Sequence, residues 1–301
     1  MKLIEEIRLG FANLPSYGMM QLQSLPNEYP GYVVRDSNGY GVAIEILDND
    51  YIISEHFANA RYHTCSYPIG NIVKKFIVLQ CYREDLRIEF ASLCTQFLDP
   101  GKDGEARIKL LENPTEWWNN WRDLLGNRIN ERTVYSIIAE LYTLNYILQF
   151  DKTAEWSGNG SGTHDIECQN VSIEVKSTIN KYSSKMTASG QFQLNANKPL
   201  YIYFLRMEPS ITGHSINSLI EELKNNGYDE NKLEQMLLNR GYEKGSSSRE
   251  LRYDILEERK YDVDDNFPKI IDKSFKNDIF PKAIVHIEYT IDLDAVDYTT
   301  W

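Results

Sequence analysis

The sequence predicts a mixed α/β chain of the α+β kind, and three observations carry that expectation. An amphipathic run over 131–149 keeps an apolar stripe at helical spacing: Val134, Ile137, Ile138, Leu141, Leu144, Ile147 and Leu148. Strand-like segments follow it in close order, at 153–156, 163–168, 171–178 and 200–206. The first hundred residues instead carry apolar runs on either side of Ser37-Asn38-Gly39, where Asn-Gly signals a hairpin.

The elements can be justified in order. Residues 32–36 and 40–46 form that hairpin, and 51–53 and 76–81 read as further strands. Leu86, Phe90, Leu93 and Phe97 recur at helical spacing, so 84–98 is a helix lying on this sheet. Pro100-Gly101 and Asp103-Gly104 break the chain. A second helix starts where Asn113 caps, Pro114 takes the first helical position and Glu116 completes a capping box, and Gly126 ends it. Trp117, Trp121 and Leu124 share one face of it, which suits an aromatic core contact better than base stacking. After the 131–149 helix and its strands, 215–242 reads as a helical hairpin with stops at Gly227 and Gly241. Residues 245–249 are a loop, and 283–293 a last strand before an acidic tail. The expected division is a β-rich N-terminal domain over 1–110, for recognition or dimerisation, and a second domain over 111–301.

Composition narrows the classes. The chain has 301 residues, 42% hydrophobic and 25% charged, enough for a sizeable core. It has no apolar run long enough to cross a membrane, and Met1-Lys2-Leu3-Ile4-Glu5-Glu6 opens no secretory signal, so a cytoplasmic protein is expected. Cys65, Cys81, Cys94 and Cys168 lack metal-finger spacing and read as free thiols. His56, His63 and Cys65 suggest a zinc corner only if a fourth ligand exists, and none is apparent. The net charge of −12 argues against bulk nucleic-acid binding. Against that background, residues 172–206 hold Lys176, Lys181, Lys185, Lys198 and Arg206 against Glu174 alone.

The chemistry gathers on one hairpin. The strands at 163–168 and 171–178 are joined by Gln169-Asn170, a two-residue loop that sets Ile166 opposite Ile173 and Asp165 opposite Glu174. Alternation then places His164, Ile166, Cys168, Val171, Ile173 and Val175 on one face, with Asp165, Glu167, Ser172, Glu174 and Lys176 on the other. Opposed carboxylates repel, and solvent, a shared proton or a divalent cation relieves them. Glu174-Val-Lys176 as a pattern is cheap, since Glu222-Leu-Lys224, Glu230-Asn-Lys232 and Glu258-Arg-Lys260 repeat it. Only Glu174-Val-Lys176 lies on a strand opposite an acid. Glu140 falls at the edge of the buried helix stripe, where an unpaired charge is costly, or where a carboxylate snorkels outward. Ser157-Gly-Asn-Gly-Ser-Gly162 leads into the Asp165 strand and is best explained as a flexible turn.

A helix with Glu140, then Asp165, then Glu174-Val-Lys176 on the next strand resembles the PD-(D/E)XK nuclease superfamily. The order Asp-x8-Glu-Val-Lys-Ser-Thr resembles a bacterial group of PD-(D/E)XK motif proteins found among restriction and phage-defence genes. Ser189-Gly-Gln-Phe-Gln193-Leu194, Phe267-Pro268 and the Tyr289–Leu293 segment are similar to that group as well. The chain departs from the superfamily pattern in having His164, not proline, before Asp165; His164 reads as a packed histidine.

The resemblance implies a restriction-endonuclease-like core over about 131–206 (helix, mixed sheet, helix or loop, strand) beside the N-terminal domain, with a C-terminal helical hairpin and strand. It implies a Mg2+-dependent DNA endonuclease of a restriction or phage-defence system, with Mn2+ as a substitute ion. Asp165, Glu174 and Glu140 are then metal ligands, Asp165, Glu174 and Lys176 the catalytic set, and Lys181, Lys185, Gln193 and Lys198 the DNA contacts. Implied partners are DNA, other defence-system subunits and a second copy of the chain, with no membrane. The alternatives are a catalytically silent or partner-dependent DNA-binding subunit, and an interaction module built on a solvated hairpin. An intact Asp165, Glu174 and Lys176 set argues against silence.

Overall fold

The computed structural model describes residues 2–47, 52–56, 59–70, 72–125, 131–157, 164–189, 194, 196–278, 281, 283–284 and 286–301. The chain forms two units, Met1–Arg128 with Lys244–Ser247, and Ile129–Glu243 with Ser248–Trp301.

In the first unit, helix α1 (Leu3–Asn13) precedes strands β1 (Gly18–Gln21), β2 (Tyr32–Asp36), β3 (Gly39–Ile46), β4 (Ser54–His56), β5 (Ala60–Ile69) and β6 (Ile72–Cys81). They form one antiparallel sheet in the order β1-β2-β3-β6-β5-β4. The β2–β3 turn is the expected hairpin, with Asp36 opposite Gly39. Gly39 is required there: its φ is 131°, and a Cβ would meet the Cys81 carbonyl oxygen at 2.2 Å. Helix α2 (Arg87–Leu98) buries Phe90, Ala91, Cys94, Phe97 and Leu98 in the same core as α1 residues Ile7 and Phe11.

Two short helices follow, α3 (Glu105–Glu112) and α4 (Pro114–Leu125). The α4 start is as expected, with the Glu116 amide donating to Asn113 Oδ1; Gly126 lies outside the described residues. The domain division falls later than expected, at Arg128 instead of near 110, because α4 belongs to the first core. Trp118 is fully buried and stacks on Tyr62 with ring centroids 5.3 Å apart, while Trp117 and Trp121 pack beside it. The tryptophans are core, and the most buried of them is not on the Trp117/Trp121 face.

The second unit opens with α5 (Glu131–Ile147), whose predicted stripe is buried throughout. Strands β7 (Glu155–Trp156), β8 (Ile166–Glu167), β9 (Ser172–Thr178), β10 (Lys185–Ser189) and β11 (Leu200–Ser210) follow. Helices α6 (Ile216–Asn225) and α7 (Glu230–Asn239) are the expected hairpin, with Gly227 at φ 88° and Gly241 at φ 84° after them. Strands β12 (Arg252–Asp262) and β13 (Glu288–Asp292) complete the unit.

Its main sheet is mixed, in the order β12-β11-β9-β8-β7, with β9 and β11 parallel and the other pairs antiparallel. One face, carrying Ile173, Val175, Tyr203, Leu205 and Met207, packs against α5, α6 and α7. The other carries Ile202 and Phe204 and packs against an antiparallel ribbon of β10 and β13. The expected last strand is therefore shorter, and it joins the ribbon instead of the main sheet. In this unit two strands were not anticipated, β10 in the polar connection and β12 in a run dense in charge; in the first unit β1 and β5 were not, and β4 follows the expected 51–53 segment. Among the described residues, no helix is long and apolar enough to cross a membrane, and the four cysteines are free thiols.

Candidate active site

The hairpin register expected from the sequence is present. Ile166 faces Ile173, and Glu167 faces Ser172. One step back, in the bend before β8, this places Asp165 beside Glu174. Residue alternation sends Ile173 and Val175 toward the helices. Ser172, Glu174 and Lys176 therefore share the opposite face with Ile202 and Phe204, their β11 neighbours.

Each acid is held by a specific donor. Asp165 Oδ2 accepts the Val175 amide at 2.8 Å. Glu174 is buried, and Lys176 Nζ lies 2.8 Å from its Oε1. Glu140 is buried on α5, and its Oε2 accepts from Trp156 Nε1 and from Arg240 Nη1, both at 2.7 Å. Burial pushes Asp165 up to about 7, the Glu174 charge adds to that, and the Val175 amide, Lys176 and Arg240 oppose it. Burial likewise pushes Glu140 up to about 7, with Asp165 adding and Arg240 and Trp156 opposing. Asp165 is thus raised by burial and by the charge of Glu174, and Glu140 by burial and by the charge of Asp165, as in a cluster of acids in a low-dielectric corner.

The remaining predicted residues fall in different places. Lys198 Nζ pairs with Glu167 Oε2 at 2.7 Å, beside a Ser172 hydroxyl that donates to the same oxygen. It is engaged at the hairpin's turn end, away from the Asp165 end of the strands. Lys181 is exposed and pairs with Glu208 at 3.0 Å. Lys185 begins β10, exposed, opposite Asp292. Gln193 lies outside the described residues, as does most of the 157–162 loop. His164 is buried as expected, but it is not purely apolar in its contacts, since Nδ1 lies 3.2 Å from Glu167 Oε1.

The donor set suits a divalent cation of the hard kind. Asp165 and Glu174 offer carboxylate oxygens at adjacent positions, and Mg2+ is commonly held by one or two carboxylates with retained waters. Among the described residues, no group of three His, Cys, Asp or Glu side chains gathers to hold a metal ion. Glu140 is ion-paired with Arg240.

Sequence reasoning missed Arg240 and Trp156. Arg240 is the cap residue after α7, and its guanidinium lies over the Trp156 indole, 4.8 Å from the ring centroid. A basic residue just before the Gly241 stop was the one available signal, and it is common at helix ends. Arg206 was counted only as local charge. It is buried and ties down the segment after β9, donating to the carbonyls of Asn180 and Ser183 and to Ser184 Oγ, and pairing with Glu257 at 3.0 Å.

The family model described as "Putative PD-(D/E)XK family member, (DUF4420)" matches residues 55–294. No curated protein and no solved structure matches the chain.

Proposed function

The chain belongs to this PD-(D/E)XK-like family, DUF4420, and from that premise we propose that it is a Mg2+-dependent DNA endonuclease. The observation that carries the proposal is the Asp165, Glu174 and Lys176 constellation on a two-strand corner of a restriction-endonuclease-like mixed sheet, with α5 packed against that sheet. A nuclease-like family, an all-oxygen acid pair and an adjacent half-buried lysine agree with one another.

When bound, a divalent cation supplies polarisation of a phosphate oxygen and a lowered pKa for a coordinated water. Asp165 and Glu174 are the residues that hold it. The Val175 amide fixes one Asp165 oxygen, which orients the carboxylate. Lys176, held against Glu174, is placed to orient the attacking water by donating a hydrogen bond to it and to offset charge gathering on the phosphate. Arg206 positions the segment that carries Lys181, and Lys181 and Lys185 are the phosphate contacts. Free thiols and an acidic surface suit a cytoplasmic protein, and a restriction or phage-defence setting suits the fold. Mn2+ substitutes for Mg2+ in such a donor set.

One observation favours a second reading. Glu174 and Glu140 are already ion-paired, to Lys176 and Arg240, as in a site that waits for a partner subunit, a second copy or a particular DNA before taking up its ion. Cleavage of supercoiled plasmid in Mg2+ and in EDTA separates the two, using the wild-type chain, Asp165→Ala and Lys176→Ala. Nicking that needs Mg2+ and disappears in both variants establishes the endonuclease. No cleavage, with a melting temperature that still rises in Mg2+, selects the waiting site. No cleavage and no Mg2+ response would rule out the cation site.

A further inference from the structure

Three elements converge on one carboxylate oxygen. Glu140 comes from α5, Trp156 ends β7, and Arg240 follows α7. Trp156 Nε1 and Arg240 Nη1 both reach Glu140 Oε2 at 2.7 Å. The same guanidinium lies over the indole ring. Arg240 is thus held in two directions, by a charge-assisted hydrogen bond and by an aromatic face. An arginine fixed in this way does not swing aside without giving up both contacts. Its charge also acts on Asp165, which it favours in the ionised form. Glu140 therefore has its counter-charge from within the chain.

We infer that Arg240 is a positioning residue that holds Glu140 out of the inner coordination of the divalent cation, leaving Asp165 and Glu174 as its carboxylate ligands. The inference rests on the cation site proposed above. It assigns Glu140 a different part from a ligand: its charge, shared with Arg240, sets the field behind Asp165. It also makes Arg240 and the cation competitors for the same acid cluster. Removing the arginine releases Glu140 toward the ion and deletes an opposing positive charge, and both changes favour the ion.

The test is Mn2+ binding to the full chain, counted by the electron paramagnetic resonance of free Mn2+, which reads binding without any catalysis. The proteins are wild type, Asp165→Asn, Glu140→Gln, Arg240→Gln, Arg240→Lys, and the Arg240→Gln, Glu140→Gln pair. Wild type is expected to hold Mn2+ and Asp165→Asn to lose it. Glu140→Gln is expected to stay within about threefold of wild type, and Arg240→Gln to bind about tenfold tighter. That gain disappears in the double variant, and Arg240→Lys, which keeps the charge, stays near wild type. A merely structural arginine would lower stability without tightening Mn2+ binding.

The inference is overturned if Glu140→Gln loses Mn2+ as fully as Asp165→Asn, or if Arg240→Gln binds as wild type does. In both cases the cation site itself stands. Wild type without Mn2+ but Arg240→Gln with it would support the arginine's role in its strongest form. Mn2+ bound by neither would remove the cation site and the inference together. Should Arg240→Gln fail to fold, Glu140→Gln decides alone: Mn2+ retained supports the inference, and Mn2+ lost overturns it.

Discussion

In the proposed site, Lys176 would bear on stability as well as on chemistry. Glu174 is 4% exposed, and Lys176 Nζ is 2.8 Å away. Removing the cationic partner of a buried carboxylate costs about 3 kcal/mol. Lys176→Ala is therefore expected to lose roughly that much in the metal-free chain, measured by urea unfolding, and to regain part of it in Mg2+. Cleavage by the same variant should fall by about 100-fold or more. A variant that cleaves normally would remove Lys176 from the chemistry.

Asp165 makes a separate prediction about pH. Burial and the Glu174 charge push its carboxyl up to about 7 in the folded chain, well above the usual aspartate range. The folded state therefore binds the proton more tightly than the unfolded state does. The resulting stabilisation is full below about pH 4 and is lost as pH rises to about 7. Relative to wild type, Asp165→Asn should gain stability steadily across that window in EDTA. Saturating Mg2+ should flatten the wild-type slope, because the cation takes the proton's place. A stability difference between the two proteins that does not change with pH would show that Asp165 is not held in this environment.

At the scale of elements, what the sequence revealed was local and what it hid was distant. The β8–β9 hairpin was legible to the register because a two-residue loop leaves little freedom. Its short loop brings Asp165 to the level of Glu174, with Lys176 two residues along the same strand. Helix α5 was legible because seven apolar residues keep one stripe. Strand β12 was hidden because its charges are satisfied across the sheet and beyond it. Glu257 pairs with Arg206, Arg259 pairs with Asp294, and Glu258 accepts from Tyr142. Such a strand reads as a polar run, although it is a sheet edge held by ion pairs. Arg240 was hidden for the simpler reason that it meets Glu140 across 100 residues of sequence. Helix α4 was legible as a helix but not in its allegiance, since nothing local says which core takes a tryptophan. Trp118→Ala should cost about 3–5 kcal/mol, because a fully buried indole that stacks on Tyr62 leaves a large cavity. In thermal unfolding, an intact signal from the first unit in this variant would contradict the placement of α4 in that core.

For the whole molecule, the proposed nuclease raises the question of how a chain of net charge −12 would meet DNA. The basic stretch over 172–206 looked, in sequence, like a patch of five cations. The fold distributes them otherwise. Lys176 is committed to Glu174, Lys198 to Glu167 and Arg206 to Glu257. Lys181 and Lys185 remain exposed, and Lys181 must leave Glu208 to reach a phosphate. Counterion release scales with the phosphates neutralised, with a log–log slope of about −0.9 for each. Two lysines therefore predict a slope of about −2 for DNA binding against salt, on weak overall affinity. The measurement is fluorescence anisotropy of a labelled duplex over a salt series, in Ca2+ to suppress cleavage. Lys181→Ala and Lys185→Ala should each reduce the slope by about 1, while Lys198→Ala leaves it unchanged. A wild-type slope steeper than about −5 would mean that DNA lies on a wider basic surface than the candidate site provides. In that case the acidic surround would have to be covered by a second copy or another subunit that brings its own cations.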